Sequence, residues 1–288
     1  VKAAAGLLFV LLGVVACTRS EMPGEPLAGA NEPAPPRVSP EEEGIDPAAL
    51  EAAAEYAGKR NSSALIVGRR GHIVYEKYWN GTGFDTPVNT GGFNGAITAI
   101  AVGIAVDDRK LIVLDDLREQ LRTDPRAVPA ILEKATGQPY AEYLSQRLWK
   151  RLGAADASLS ADRCCLIARQ GDWMRVGQIL ANDGVYQGDE LVAPRWVQEM
   201  VQSGLHVSRG TEAFATDDVR YLQGAGRSRL WVVPSLSLII LRTGSDPDDP
   251  QDWDETYIPN TIIHGVRDFM PRGSKPGETP IRDLVPSH

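Results

Sequence analysis

Residues 96–106 (AITAIAVGIAV) are apolar on every side but form a run of only eleven, which predicts a helix buried inside a folded domain, not one crossing a membrane. Two apolar, β-branched runs precede it, 64–68 and 72–79, joined by Arg69-Arg70-Gly71 as in a hairpin. Before them, Asp46 as N-cap and Pro47 at the first helical position open an Ala-rich helix over 47–57, with Gly58 as its stop. After the buried helix the period becomes helical, over 128–136, 140–152, 172–182 and 194–202, with glycines following at 137, 153, 184 and 204. A second hairpin, 229–233 and 236–242, turns at Pro234-Ser235, with Tyr221-Leu222 as a preceding strand and a last helix from near Asp254 to about Met270. This order predicts an α+β fold: an antiparallel sheet built from both chain ends, flanked by helices, with a reduced central helical region inserted over about 107–205.

The pattern at the N-terminus is of another kind. One lysine precedes an uncharged apolar run over 3–16, which as a helix would reach about 21 Å, short of the roughly 30 Å hydrocarbon layer. It reads as a secretory signal over 1–16. Val14-Val15-Ala16-Cys17 resembles a bacterial lipobox, which implies that Cys17 carries lipid and becomes the mature N-terminus. With Thr18 following, and not Asp, the expected location is the periplasmic face of the outer membrane. Residues 17–45 are rich in Pro, Gly, Ala and Glu without an apolar period and are expected to be a flexible tether. The folded domain is then expected over 46–270, with a tail over 271–288. A chain of 288 residues, 43% hydrophobic, can bury a core, and its net charge of −8 argues against a nucleic-acid partner.

Five stretches carry a resemblance: SSALIVGRRGHIVYEKYW (62–79), AVGIAVDDRKLIVLDD (101–116), ATGQPYAEYLSQRLWKRLGAADA (135–157), CCLIARQGDWMRVGQILANDG (164–184) and GAGRSRLWVVPSLSLIILRTG (224–244). Together they resemble the serine β-lactamase and penicillin-binding protein superfamily, in particular its esterases and amide hydrolases of the 6-aminohexanoate-dimer hydrolase type. The likeness spans about residues 40–268. It implies that family's fold and a cofactor-free serine hydrolase of amide or ester bonds.

The residues that do the family's chemistry are missing. Its nucleophile and base are a Ser-x-x-Lys opening the buried helix, where Ser attacks a carbonyl and Lys takes its proton. Here the helix opens Gly92-Phe93-Asn94-Gly95, so Gly92 stands for the Ser and Gly95 for the Lys. No Lys in the chain follows a Ser or Thr by three positions. The Tyr-x-Asn element falls on Gln120, Leu121 and Arg122, in a connection much shorter than the family's, and the Lys-Thr-Gly element falls on Ala225, Gly226 and Arg227. No catalytic residue is therefore assigned. The vestigial pocket is expected at Gly92, Phe93, Asn94, Gly95, Ala225, Gly226, Arg227 and Arg229, and a non-catalytic binding or scaffold module is the expected function.

Arg227 and Arg229, two apart on an expected strand, would share a face on which guanidinium forks bind a carboxylate-bearing small molecule or peptide. The alternative to a non-catalytic module is a hydrolase with another nucleophile, Ser158, Ser160 or Thr90, beside an Asp or His base. Cys164-Cys165 is expected as two small buried side chains, with a vicinal disulfide after export or a redox pair as the other readings. The acidic run Asp246, Asp248, Asp249, Asp252, Asp254 and Glu255 lacks the spacing of a calcium loop, and Asp254 is expected to cap the last helix. The four histidines, 72, 206, 264 and 288, have no metal-ligand spacing, so no metal site is expected.

Overall fold

In the computed structural model, which describes residues 24–277, the two apolar hairpins belong to one sheet. Strand β1 (Glu25–Leu27) precedes helix α1 (Pro47–Gly58), strands β2 (Ser62–Arg69), β3 (His72–Tyr78) and β4 (Pro87–Asn89), and helix α2 (Phe93–Asp107). Helices α3 (Asp115–Thr123), α4 (Val128–Thr136) and α5 (Tyr140–Leu144) lead to β5 (Ala157–Leu159), β6 (Leu166–Arg169) and α6 (Gln170–Ala181). A small hairpin, β7 (Val185–Tyr186) and β8 (Asp189–Glu190), is followed by α7 (Pro194–Gln202). The last elements are β9 (Ser208–Arg209), β10 (Arg220–Gln223), β11 (Arg229–Val233), β12 (Leu238–Gly244) and α8 (Tyr257–His264).

The main sheet has the order β3-β2-β12-β11-β10-β9, antiparallel throughout, and β12 pairs with β2 so that Leu238 lies opposite Arg69 and Arg242 opposite Leu65. Both faces are covered. Leu65, Val67, Trp231, Val233, Leu238 and Ile240 share a core with residues of α1 and α8, while Ala64, Ile66, Leu230, Val232, Ile239 and Leu241 share another with α2 and α6. Because neither face meets water, these strands read as continuous apolar runs and not as alternating ones. Helix α2 is buried on all sides, which its small residues permit; Gly103 lies against the indole of Trp196, whose Nε1–H donates to the Ala99 carbonyl at 2.8 Å. The α+β fold with a sheet from both chain ends is thus the one the sequence predicts.

Four features differ from expectation. The stretch expected as a tether packs against the domain from residue 24 on: β1 pairs with β5, Arg37 bridges to Ile73, Ile45 to Val266, and Leu27 is buried. Isolated apolar residues in a Pro-rich background carry no period, yet each finds a sheet edge or a gap. Helix α8 begins at Tyr257 and stops at His264, well before Met270, because Gly265 and residues after it bond to the N-terminal segment (Asp46 N to Gly265 O, Arg267 N to Gly44 O). Asp254 instead accepts from the Thr256 N–H ahead of the helix. The segment after α2 holds the unexpected helix α3, anchored by Leu117 and Leu121 four apart. A second sheet, β1-β5-β6-β4, is made of strands too short to show a period in the sequence.

If residues 24–45 belong to the domain, truncating Leu27 opens a cavity in the core. Leu27→Ala should cost about 2–5 kcal/mol in urea unfolding of the full chain. A cost within about 0.5 kcal/mol, as for a surface position, would return this segment to a tether.

Candidate functional site

The head of α2 is positioned by a backbone weave. Strand β4 pairs with β6, the Thr90 carbonyl accepts from the Ala225 N–H at 2.9 Å, and the Gly91 N–H donates to Asn89 Oδ1 at 3.0 Å. These bonds press the end of β10 onto Gly92. A Cβ built on Gly92 would lie 2.2 Å from the Gln223 carbonyl oxygen, and one on Gly224 would lie 2.2 Å from the Thr90 carbonyl oxygen. Backbone on both sides cannot withdraw as a flexible side chain would, so this approach requires glycine. Of the other two residues at the helix opening, Phe93 is buried with its ring edge-on to Trp173 at 5.2 Å. Asn94 is buried, donates from Nδ2 to the Arg163 carbonyl at 3.0 Å, and leaves Oδ1 without a partner.

At Gly95 the neighbour is a side chain. The His206 ring lies where a residue-95 side chain would begin, its Nδ1 2.4 Å from a Cβ built there. The other ring nitrogen, Nε2, is 2.6 Å from the Leu121 carbonyl. A carbonyl only accepts, so Nε2 carries the proton and donates. His206 thus links Gly95 on α2 to Leu121 on α3. Nothing local in the sequence marks this role. The imidazole arrives from the turn after α7, whose Gly204 and His206 both have positive φ, and only the folded chain brings it to Gly95.

The third wall differs from expectation. Ala225, Gly226 and Arg227 form a 3₁₀ turn between β10 and β11, in which Arg227 has φ 56° and faces Asp246 at 3.6 Å. Arg229 is in β11 on the face shared with α1 and α8, and its guanidinium is taken by both carboxylate oxygens of Glu255, at 2.5 and 2.9 Å. The two arginines therefore do not share a face, because the alternation rule holds only within a strand and Arg227 lies outside it. Arg227 and Arg229 thus form no paired fork facing α2.

What remains at the head of α2 is an open cavity of about 500 Å³, bounded by Gly92, Asn94, Gly95, Arg126, His206 and the Cys164–Cys165 pair. These cysteines are joined in a vicinal disulfide, contrary to the expectation of free thiols. Of the alternative nucleophiles, Thr90 is buried with its hydroxyl unpartnered and Ser158 is within the β5 pairings. Ser160 Oγ donates to Asp162 Oδ1 at 2.7 Å, and that bond, with the Cys164 N–H, holds the Asp162 carboxyl below its ordinary range. The acidic run is likewise in use: Asp248 accepts from Asn61, Asp249 caps a 3₁₀ turn, and Glu255 holds Arg229. Among the described residues no group of His, Cys, Asp and Glu is arranged to hold a metal ion. Cys17 lies outside the described residues.

No protein-family model matches the chain. A 6-aminohexanoate-dimer hydrolase of Paenarthrobacter ureafaciens is 27% identical over 149 residues, a match covering 43% of this chain and 38% of that protein. Among solved structures, a β-lactamase from Mycobacterium bovis superposes with a TM-score of 0.61 at 11% identity, over 76% of this chain and 99% of that one. A penicillin-binding protein homologue from Caulobacter crescentus superposes with a TM-score of 0.55 at 12% identity, over 73% and 96% of the two chains. With the sheet order and the buried α2, these likenesses show that the chain has the fold shared by β-lactamases and penicillin-binding proteins, and that a part of it is similar in sequence to a 6-aminohexanoate-dimer hydrolase.

Proposed function

We propose that this chain is a non-catalytic member of its superfamily, a binding or scaffold module held at the cell envelope by lipid on Cys17. The observation that carries the reading is that the Gln223 carbonyl and the His206 ring occupy the places where side chains of residues 92 and 95 would begin. A mere loss of Ser and Lys would leave their volume open. Here other groups fill it, so no acyl group can form at residue 92, and the rate gain from covalent catalysis is lost with it. The second reading, hydrolysis of an amide or ester by another nucleophile, draws on the Ser160–Asp162 hydrogen bond. Asp162 is exposed and held below its ordinary range, which makes it a weak base, and Ser160 Oγ already accepts from the Cys165 N–H as part of a local turn.

The wild-type chain should form no stoichiometric adduct with a fluorescent penicillin and should hydrolyse activated esters no faster than background. An acyl group mapped by peptide mass spectrometry to one residue, Ser160 included, would make it an enzyme. For the envelope location, mass spectrometry of membrane fractions should find an N-terminus at Cys17 bearing acyl chains; an unmodified Cys17 refutes the anchor.

The filled site also predicts stability. Gly95→Ala should displace the His206 ring, break its bond to Leu121 and cost about 1–3 kcal/mol in urea unfolding. His206→Ala in the same chain should recover most of that cost, since the two side chains compete for one volume. Simple additivity of the two substitutions would show that His206 does not occupy the residue-95 space. Gly92→Ser with Gly95→Lys should restore no penicillin adduct, because residues that act as a unit are not recovered piecemeal.

A further inference from the structure

A disulfide between adjacent residues closes a loop with no residue inside it, and the chain-entropy gain of a cross-link falls with loop length. Cys164–Cys165 is therefore a poor staple. Its surroundings give it a different character. The loop from Ser160 to Cys165 keeps its shape through bonds that do not involve the S–S link. Cys164 N–H donates to Asp162 Oδ1 at 3.2 Å, Cys165 N–H to Ser160 Oγ at 3.1 Å, and Ser160 N–H to the Cys165 carbonyl at 2.9 Å. Arg163, between them in the loop, pairs with Glu133 at 2.9 Å and with Glu25 of β1 at 3.5 Å. A loop clamped in this way holds the two sulfurs together whether or not they are bonded. Its Arg163 carbonyl also accepts from Asn94 Nδ2, which ties the loop to the first turn of α2.

Asn94 adds an independent observation. Its Oδ1 is buried beside this loop with no donor, an arrangement native proteins rarely leave unexplained. A disulfide has no hydrogen to give, whereas reduction creates two S–H donors at the same loop. The disulfide also lines the cavity, with Cys164 half-buried and Cys165 buried.

We propose that Cys164–Cys165 is a reversible two-electron redox site, reduced by an external dithiol, whose state sets the wall of the cavity at the head of α2. A thiolate of the donor attacks the more accessible Cys164 sulfur, the S–S bond breaks, and Cys165 leaves as a thiolate that takes a proton from water. The donor's second thiolate then attacks its own sulfur in the mixed disulfide and releases Cys164, which is protonated in turn. The donor ends as a disulfide, and two electrons and two protons have passed to the protein. The inference goes beyond the non-catalytic reading and does not depend on it, since an acyl adduct elsewhere would leave it standing.

The test uses the full chain, equilibrated without denaturant in graded ratios of reduced to oxidised dithiothreitol, trapped with iodoacetamide and mapped by peptide mass spectrometry. Labels on Cys164 and Cys165 should appear together in one two-electron transition, with the urea midpoint of the reduced chain unchanged within error. Amide hydrogen exchange over residues 91–95 should change about tenfold on reduction, while Cys164 and Cys165, held by Asp162 and Ser160, keep their protection. Cys164→Ser with Cys165→Ser should fold and show the reduced exchange pattern without any reductant. Labelling that needs denaturant, a pair already labelled in the untreated protein, or exchange over 91–95 that ignores the redox state would each overturn the proposal.

Discussion

The pairing of β2 with β12 is the constraint on which the rest of the fold depends. It joins Ser62 and Arg242 across 180 positions of sequence, and closing so long a loop costs entropy that is recovered only when the sheet's two faces are buried. Arg242 links that pairing to the site. Fully buried, it donates to Ser62 Oγ at 2.8 Å and to the carbonyls of Gly226, Arg60 and Ser245. Burial, and then the neighbouring Arg229, push its guanidinium down to about 10, which still leaves it charged at neutral pH. Through the Gly226 carbonyl it fixes the turn after β10, and so holds the end of β10 over Gly92.

Seen this way, the glycines at the head of α2 are structural requirements of the present packing. Gly92 accommodates a carbonyl, Gly95 an imidazole, and Gly224 the backbone of the strand before α2. The His206 bond to Leu121 draws α3 and the turn after α7 together over the helix. In the connection between α2 and α4, Leu121 turns inward and its carbonyl is satisfied by a side chain from another part of the chain. The head of α2 is a packed junction with one open side.

The main elements were legible because both hairpins and α2 are buried on all faces, and burial writes unbroken apolar runs into the sequence. That no lysine follows a Ser or Thr by three positions is a property of residue order alone and needs no fold to be read. What stayed hidden depends on long-range neighbours. His206 acts through its contact with Gly95, Leu27 through a sheet edge supplied by β5, and Arg229 through Glu255. The sequence favours no disulfide at Cys164 and Cys165, because adjacent cysteines alone do not say whether the backbone around them keeps the sulfurs in register. The bonds from Ser160 and Asp162 that do so belong to a turn the sequence did not mark.

The packing of the chain against the domain from Glu25 on changes what an anchor at Cys17 could do. Between Cys17 and Gly24 the chain spans seven residues, at most about 25 Å when fully extended. With lipid on Cys17, the edge of the small sheet at β1 would stay within that reach of the bilayer, and with it the disulfide loop that follows β5. The domain would not range freely through the space around the membrane. It would keep one side toward the lipid surface, so that whatever meets its cavity would have to approach within a thin layer next to the headgroups.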